Sequence, residues 1–112
     1  MTPRIALWAL TAMGLVACQP ALKADQFAGA WKSSRLATPI HLQPDGAWEI
    51  RGEDGRVLQY GVWRLEDRSL LWSVRMGDGR LLHDRNPVVS AGEHRFELRE
   101  QDGSLTRFDR LR

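Results

Sequence analysis

The fold class is decided by residues 69–79, which read Ser-Leu-Leu-Trp-Ser-Val-Arg-Met-Gly-Asp-Gly. Apolar and polar residues alternate along this stretch, which is typical of a strand with one buried face. The apolar positions of that face are Leu70, Trp72, Val74 and Met76. Asp78-Gly79 then supplies a dipeptide that tolerates the positive φ angles of a tight hairpin turn. The stretch therefore predicts a half-buried strand that ends in a hairpin.

The same pattern recurs along the chain. Asp-Gly occurs at Asp45-Gly46, Asp54-Gly55, Asp78-Gly79 and Asp102-Gly103. Strands are predicted at 27–34, 38–43, 47–52, 56–66, 69–76, 80–85, 93–100 and 104–111. The connections are too short for parallel crossovers, and closing the sheet removes its exposed edges. We therefore predict an all-β fold, a small antiparallel up-and-down meander of about eight short strands closing into a barrel.

The interior of this barrel is expected to hold twelve side chains. They are Phe27, Trp31, Ile40, Leu42, Trp48, Ile50, Trp63, Trp72, Val74, Phe96, Leu98 and Phe108. Gly61 interrupts the fourth strand, which predicts a bulge or bend that lets both Tyr60 and Trp63 face the core. An eight-stranded barrel is about wide enough to be filled by its own side chains, so we expect little or no cavity.

Composition limits the chain to a single domain and excludes several functions. The chain has 112 residues, one cysteine and a formal net charge of +2. A single cysteine excludes an intramolecular disulfide and a zinc site built from several thiolates. The small positive surplus is spread along the chain and gives no support to nucleic-acid binding.

The N-terminus has the pattern of a secretory signal peptide. Arg4 precedes an apolar run of about 13 residues, shorter than the roughly 17 to 25 that span a membrane. Leu15-Val16-Ala17-Cys18 resembles a bacterial lipobox. The resemblance implies that Cys18 becomes the acylated N-terminus of a lipoprotein anchored in a membrane. In enterobacterial lipoproteins, an Asp after the cysteine signals retention in the inner membrane. This chain has Gln19 there, so the resemblance favours the outer membrane, with the domain facing the periplasm. The alternative is a secreted protein with a chance cysteine.

This assignment divides the chain into three predicted parts. Residues 1–17 form a signal helix, residues 18–26 a lipidated tether, and residues 27–112 the barrel domain. The first strand opens with Phe27-Ala28-Gly29-Ala30-Trp31, which resembles the Phe-x-Gly-x-Trp opening of lipocalins and related small barrels. This resemblance implies that Gly29 and Trp31 close one barrel end, with Arg107 or Arg110 lying across the indole ring.

No motif for catalysis, metal binding or a cofactor is present. The sequence lacks a nucleophile elbow, a phosphate loop and a His-Glu-x-x-His motif, and its three histidines stand apart. We therefore predict no catalytic residues, no enzyme activity, no metal and no cofactor. Residues 83–89 are predicted to be an exposed loop with Asp84, Arg85 and Asn86 as binding candidates. The alternative is a plain turn whose valines pack under the barrel rim.

The expected function is that of a non-catalytic binding module at the bacterial envelope. The first alternative is an inhibitor or immunity protein that acts on a periplasmic hydrolase, with a protein as partner. The second alternative is a carrier of a small apolar ligand, which the lipocalin resemblance implies. A filled interior would exclude the carrier, whereas a protruding loop at 84–90 would favour the inhibitor.

Overall fold

Eight antiparallel strands form a closed barrel in the computed structural model, which describes residues 20–112. The strands are β1 (Gly29–Ser33), β2 (Ile40–Leu42), β3 (Ala47–Arg51), β4 (Val57–Glu66), β5 (Ser69–Arg75), β6 (Leu81–Ala91), β7 (Arg95–Arg99) and β8 (Leu105–Arg110). A 3-10 helix, Ala24–Gln26, precedes β1. The predicted all-β, up-and-down barrel is confirmed, whereas the signal helix and Cys18 lie outside the described residues.

Each strand pairs with its neighbours in sequence, and β1 pairs with β8 to close the barrel. All four Asp-Gly dipeptides lie in the turns, where their glycines have φ angles between +84° and +95°. In each turn the aspartate side chain accepts a hydrogen bond from the backbone N–H two residues further on. These local bonds explain the turn aspartates without any catalytic role.

The predicted loop at residues 83–89 is wrong, because this segment lies within β6. Leu81 to Pro87 pair with β5 in unbroken register, from Leu81↔Arg75 to Pro87↔Ser69. The residue before a proline is driven towards an extended conformation, so Asn86-Pro87 continues a strand as readily as it begins a turn. A register shift follows between Val88 and Ser90, where β6 changes its pairing with β7.

The core contains ten of the twelve predicted side chains. Trp72 and Val74 are only partly buried and pack against it. Leu70, which was predicted on the buried face of its strand but not among the twelve, is in the core, and so is Val88, which was not predicted. Aromatic contacts dominate one end, where the ring of Phe96 stacks on Phe108 at 4.5 Å between centroids. The same ring meets Trp31 edge-on at 4.6 Å.

Gly61 does not form a bulge. It pairs regularly with Trp48 on β3 and with Val74 on β5. The indole Nε1 of Trp48 instead passes over Gly61 and donates a hydrogen bond to the carbonyl oxygen of Ser73 at 3.1 Å. Tyr60 faces outward and is 52% exposed, so its predicted place in the core is wrong. Gly61 therefore permits a close approach of an indole ring to the backbone.

The segment before the barrel makes more contacts than a bare tether would. Leu22 packs against the hydrophobic core, and Arg68 donates a hydrogen bond to the carbonyl oxygen of Pro20 at 3.1 Å. These contacts hold residues 20–26 against the barrel end at which β1 begins. Within residues 20–112, no helix has the length and apolar character needed to cross a bilayer.

Candidate functional site

One end of the barrel is sealed by Arg110 and Trp31. The Arg110 guanidinium carbon lies 4.2 Å from the centroid of the Trp31 ring, within the range of cation–π attraction. The guanidinium also donates to three backbone carbonyl oxygens at 2.7–3.0 Å; the acceptors are Gln26, Ala28 and Glu93. The Trp31 indole donates to the Phe27 carbonyl oxygen at 2.9 Å. We call this the closed end.

Gly29 makes room for this arrangement. Its φ angle of +138° suits glycine, and a Cβ atom at this position would overlap a terminal nitrogen of Arg110. Arg107, the other predicted candidate, lies on the outer face and forms an ion pair with Asp109 at 3.0 Å. Hydrogen bonds from Arg95 and then Arg107 hold the pKa of the Asp109 carboxyl below its usual value. The structure thus places Arg110, and not Arg107, across the Trp31 ring.

We expect Arg110→Lys to destabilise the protein by about 1.5–3 kcal/mol, the range for a hydrogen bond made by a charged group. A lysine ammonium is a point charge and lacks the planar fork that reaches three carbonyl groups while covering a ring. Urea denaturation followed by tryptophan fluorescence measures the change. Arg107→Lys is the matched control and should change stability by less than about 0.5 kcal/mol, because it alters only an exposed ion pair. Equal losses in both variants would contradict the role assigned to Arg110.

The opposite end of the barrel contains an open cavity of about 200 Å³, which we call the cup. Its apolar lining residues are Leu36, Ile40, Trp48, Ile50, Trp72, Val74, Leu98 and Phe108, and its polar lining residues are Gln59, Asp84, Asn86 and Glu100. The indole rings of Trp48 and Trp72 meet edge-on, with centroids 6.2 Å apart. The core is filled as expected, but an open cavity remains above it at the barrel mouth.

The cup lies above the packed core, at the end of the barrel where β6 is longer than its neighbour β7. β6 has 11 residues and begins at Leu81, whereas β7 has 5. The ladder between them ends at Val88↔Leu98 on this side. Asp84 and Asn86 of β6 therefore line the cup without a ladder partner on β7.

The polar side chains of the cup bridge a gap between β6 and β7. Ladder pairing between these strands reaches no further towards the cup than Val88↔Leu98. Beyond it, the Asn86 amide donates to the carbonyl oxygen of Arg99 at 3.1 Å, and Gln101 donates to Asp84 Oδ1 at 3.2 Å. Side-chain hydrogen bonds thus replace backbone pairing along this part of the wall.

Two of the three predicted binding residues lie together at the cup, and the third does not. Asp84 and Asn86 both line it because alternate residues of a strand share one face. Arg85 lies on the outer face, where it pairs with Glu66 at 2.7 Å. The loop hypothesis missed Trp72 and Glu100 as cup residues. The alternation of β5 did mark Trp72 as inward-facing, but the register that brings it opposite Asp84 is a tertiary property.

A wider cleft of about 750 Å³ adjoins the cup along β4 to β6 and shares Trp72 and Asp84 with it. Many of its other lining residues are exposed side chains of mixed charge, among them Asp45, Arg64, His83 and Arg85. Half of the twelve residues that line the cup are buried, so its walls are packed in place before any ligand arrives. We therefore take the cup as the candidate site.

Two observations concern metal-binding and catalytic groups in residues 20–112. This part of the chain contains no group of three or more histidine, cysteine, aspartate or glutamate side chains that could hold a metal ion. Ser73 Oγ and His83 Nδ1 lie 3.0 Å apart on the outer face. Among the described ion pairs, none joins His83 to a carboxylate that would orient it as a base.

Comparisons with protein-family models, curated proteins and solved structures find no match to this chain.

Proposed function

We propose that this protein is a non-catalytic binding module that takes a small, partly apolar ligand into the cup. The observation that carries the proposal is the contrast between the two barrel ends. Arg110 seals one end with three hydrogen bonds to backbone carbonyl oxygens, whereas the other opens onto a cavity lined by tryptophan rings. Packed apolar walls with a few converging polar groups are the usual form of a small-molecule site.

The size of the cup limits the ligand. A cavity of about 150 Å³ holds a benzene molecule, so about 200 Å³ accommodates one ring with a short substituent. The open cavity at the barrel mouth supports the carrier of a small ligand over the alternative functions. Larger ligands would have to protrude through the open mouth.

We further propose that the domain is lipocalin-like and is attached to the bacterial outer membrane, facing the periplasm, through acyl chains on Cys18. The lipobox-like residues Leu15 to Cys18 support the anchor. The Phe27-x-Gly29-x-Trp31 motif, together with the arginine across its indole ring, supports the lipocalin-like assignment. Two or more acyl chains suffice to hold a domain stably at a membrane.

An inhibitor or immunity protein that binds a periplasmic hydrolase is the second candidate function. The predicted loop at 84–90 cannot support it, since that segment lies in β6. The observation that favours it is an apolar patch on the outer face of β4 and β6, where Leu58, Tyr60, Val62 and Leu81 are 50–60% exposed. Exposed apolar patches of this kind often mark contacts with other proteins.

Filling the cup tests the proposed function. We expect benzyl alcohol or benzylamine to shift the indole N–H resonances of Trp48 and Trp72 saturably in NMR spectra of the purified protein. Val74→Phe places a ring in the cup and should abolish these shifts, because Val74 is one of its walls. Val62→Phe is the matched control on the outer face and should leave them unchanged. If neither compound shifts the resonances, or both variants bind like the parent, the cup is not the site.

A further inference from the structure

The cup is negatively charged, although the chain as a whole is positive. Asp84 and Glu100 are its only charged lining residues among those described. Elsewhere on the barrel, carboxylates pair with arginines, as Glu49 does with Arg51 at 2.7 Å. No such ion pair involves Asp84 or Glu100 within residues 20–112. The two cup carboxylates therefore lack a cationic partner in the described part of the protein.

Three arginines near the two carboxylates make their hydrogen bonds elsewhere. Arg99, which precedes Glu100, donates to the carbonyl oxygen of Gly103 at 3.0 Å. Arg85, which follows Asp84, points to the outer face and pairs with Glu66. Arg35 borders the mouth of the cup but donates a hydrogen bond to Ser104, beside Asp102. Among the described ion pairs, none of the three arginines pairs with Asp84 or Glu100.

Each of the two carboxylates accepts hydrogen bonds through only one of its two oxygens. Asp84 accepts through Oδ1 from Gln101 and from the backbone N–H of Arg85. Glu100 accepts through Oε2 from Thr106 at 2.6 Å. Asp84 Oδ2 and Glu100 Oε1 have no hydrogen-bond donor among the described residues. Each carboxylate thus keeps one free acceptor oxygen.

Asn86 supplies an independent sign of a ligand. Its side chain is buried, at 3% exposure, and its amide nitrogen donates to the Arg99 carbonyl oxygen. Its Oδ1 accepts no hydrogen bond from the described residues. Every fully enclosed side-chain polar atom in residues 20–112 has a hydrogen-bond partner. Since Oδ1 has none, it is not fully enclosed, and it is accessible from the cup that Asn86 lines. An accessible amide oxygen on an otherwise buried side chain has room for a donor from a ligand.

The apolar walls favour the same kind of ligand. Trp48, Trp72 and Phe108 present aromatic rings to the cup, and the faces of such rings attract cations. The cup thus has three free acceptor atoms among the described residues, two carboxylate oxygens and one amide oxygen. A primary ammonium group has three N–H donors, one for each acceptor. We propose, on the basis that the cup is the binding site, that its ligand is a small primary ammonium compound with an apolar body of about one ring.

A lipid headgroup does not satisfy this chemistry. An ethanolamine headgroup carries a phosphate two carbons away from its ammonium group, and it has no apolar body to contact the tryptophan rings. The carboxylates of Asp84 and Glu100 would repel that phosphate. The ligand is therefore a free cation.

Four compounds of known charge test the proposal by NMR titration of the indole N–H resonances of the purified protein. Benzylamine, benzyl alcohol and benzoate share one ring and differ in charge, whereas phosphoethanolamine represents the headgroup. We expect benzylamine to bind at least tenfold more tightly than each of the other three. Equal binding of benzyl alcohol would overturn the ammonium assignment while leaving the cup as a binding site. Phosphoethanolamine binding as tightly as benzylamine would overturn the free-cation assignment, and no binding by any compound would overturn both proposals.

Removing the charges provides a second measurement. Asp84→Asn combined with Glu100→Gln should weaken benzylamine binding at least tenfold and leave benzyl alcohol binding within about twofold. Glu53→Gln removes an exposed carboxylate from the β3–β4 turn and serves as the matched control for general charge effects. If Glu53→Gln weakens benzylamine as much as the double variant does, the attraction comes from the whole surface and the assigned carboxylates are wrong.

Discussion

Gly61→Ala is expected to be among the most destabilising single substitutions in the barrel, with a loss of about 2–6 kcal/mol in the free energy of unfolding. A Cβ atom at Gly61 would overlap the carbonyl oxygen of Ser73 and lie 2.7 Å from the Trp48 indole nitrogen. The carbonyl belongs to the paired strand β5, so it cannot move away without disturbing the ladder. The Trp48 indole would also lose its hydrogen bond, which leaves a buried donor unsatisfied.

Gly77→Ala is the matched control for this prediction. A Cβ atom at Gly77 would meet no heavy atom within 4 Å, and its φ angle is not in the left-handed region. We expect this variant to be as stable as the parent or slightly more so, since alanine restricts the unfolded chain. Urea denaturation of both variants gives the comparison. If Gly61→Ala were as stable as Gly77→Ala, the close approach of Trp48 to the backbone would not exist.

Trp31→Ala is expected to cost about 3–5 kcal/mol, the range for truncating a buried aromatic side chain. Trp31 is fully buried, contacts Phe96 edge-on and lies beneath the Arg110 guanidinium. A domain of this size shifts its melting temperature by roughly 4–8 °C for each kcal/mol, so the Tm should fall by at least about 12 °C. Differential scanning calorimetry measures the change.

An exposed aromatic residue provides the control for Trp31. Tyr60 is 52% exposed on the outer face of β4, and Tyr60→Thr keeps a residue that favours strands. We expect its Tm to stay within a few degrees of the parent value. If the Tm of Trp31→Ala were the same as that of Tyr60→Thr, the closed end would contribute little to stability.

The strand order and turns were predictable from the sequence because they depend on local chemistry. Alternation at Leu70, Trp72 and Val74 marks one face of a strand, and glycine after aspartate marks a turn with positive φ. These signals act over a few residues. Seven of the eight predicted strands therefore agree with the structure to within a few residues at each end.

The sixth strand and its binding residues were harder to predict. Proline and asparagine suggest a turn when only neighbours in sequence are considered. Pairing with β5 overrides that preference, because Asn86 lies opposite Leu70 and its amide finds an acceptor at Arg99. A propensity of this kind is weaker than the burial and hydrogen bonding that a complete ladder supplies.

Gly61 is a second position where the local sequence signal does not specify the outcome and the strand pairing does. An isolated glycine in a strand indicates either a bulge or a close approach, and the sequence alone does not separate the two. The structure places the Trp48 indole over Gly61, a contact between residues thirteen positions apart. Only the register between β3 and β4 brings them together.

Alternation and turn chemistry are local and repeat along the chain, so an antiparallel barrel of eight strands can be predicted from the amino-acid sequence. Contacts between distant strands place Arg110 rather than Arg107 over Trp31, and they bring Asp84, Asn86 and Glu100 to one cavity. Both outcomes depend on register and on unequal strand lengths. A one-residue slip would reverse every side chain between the two faces of a strand, so local patterns cannot specify which distant residues meet.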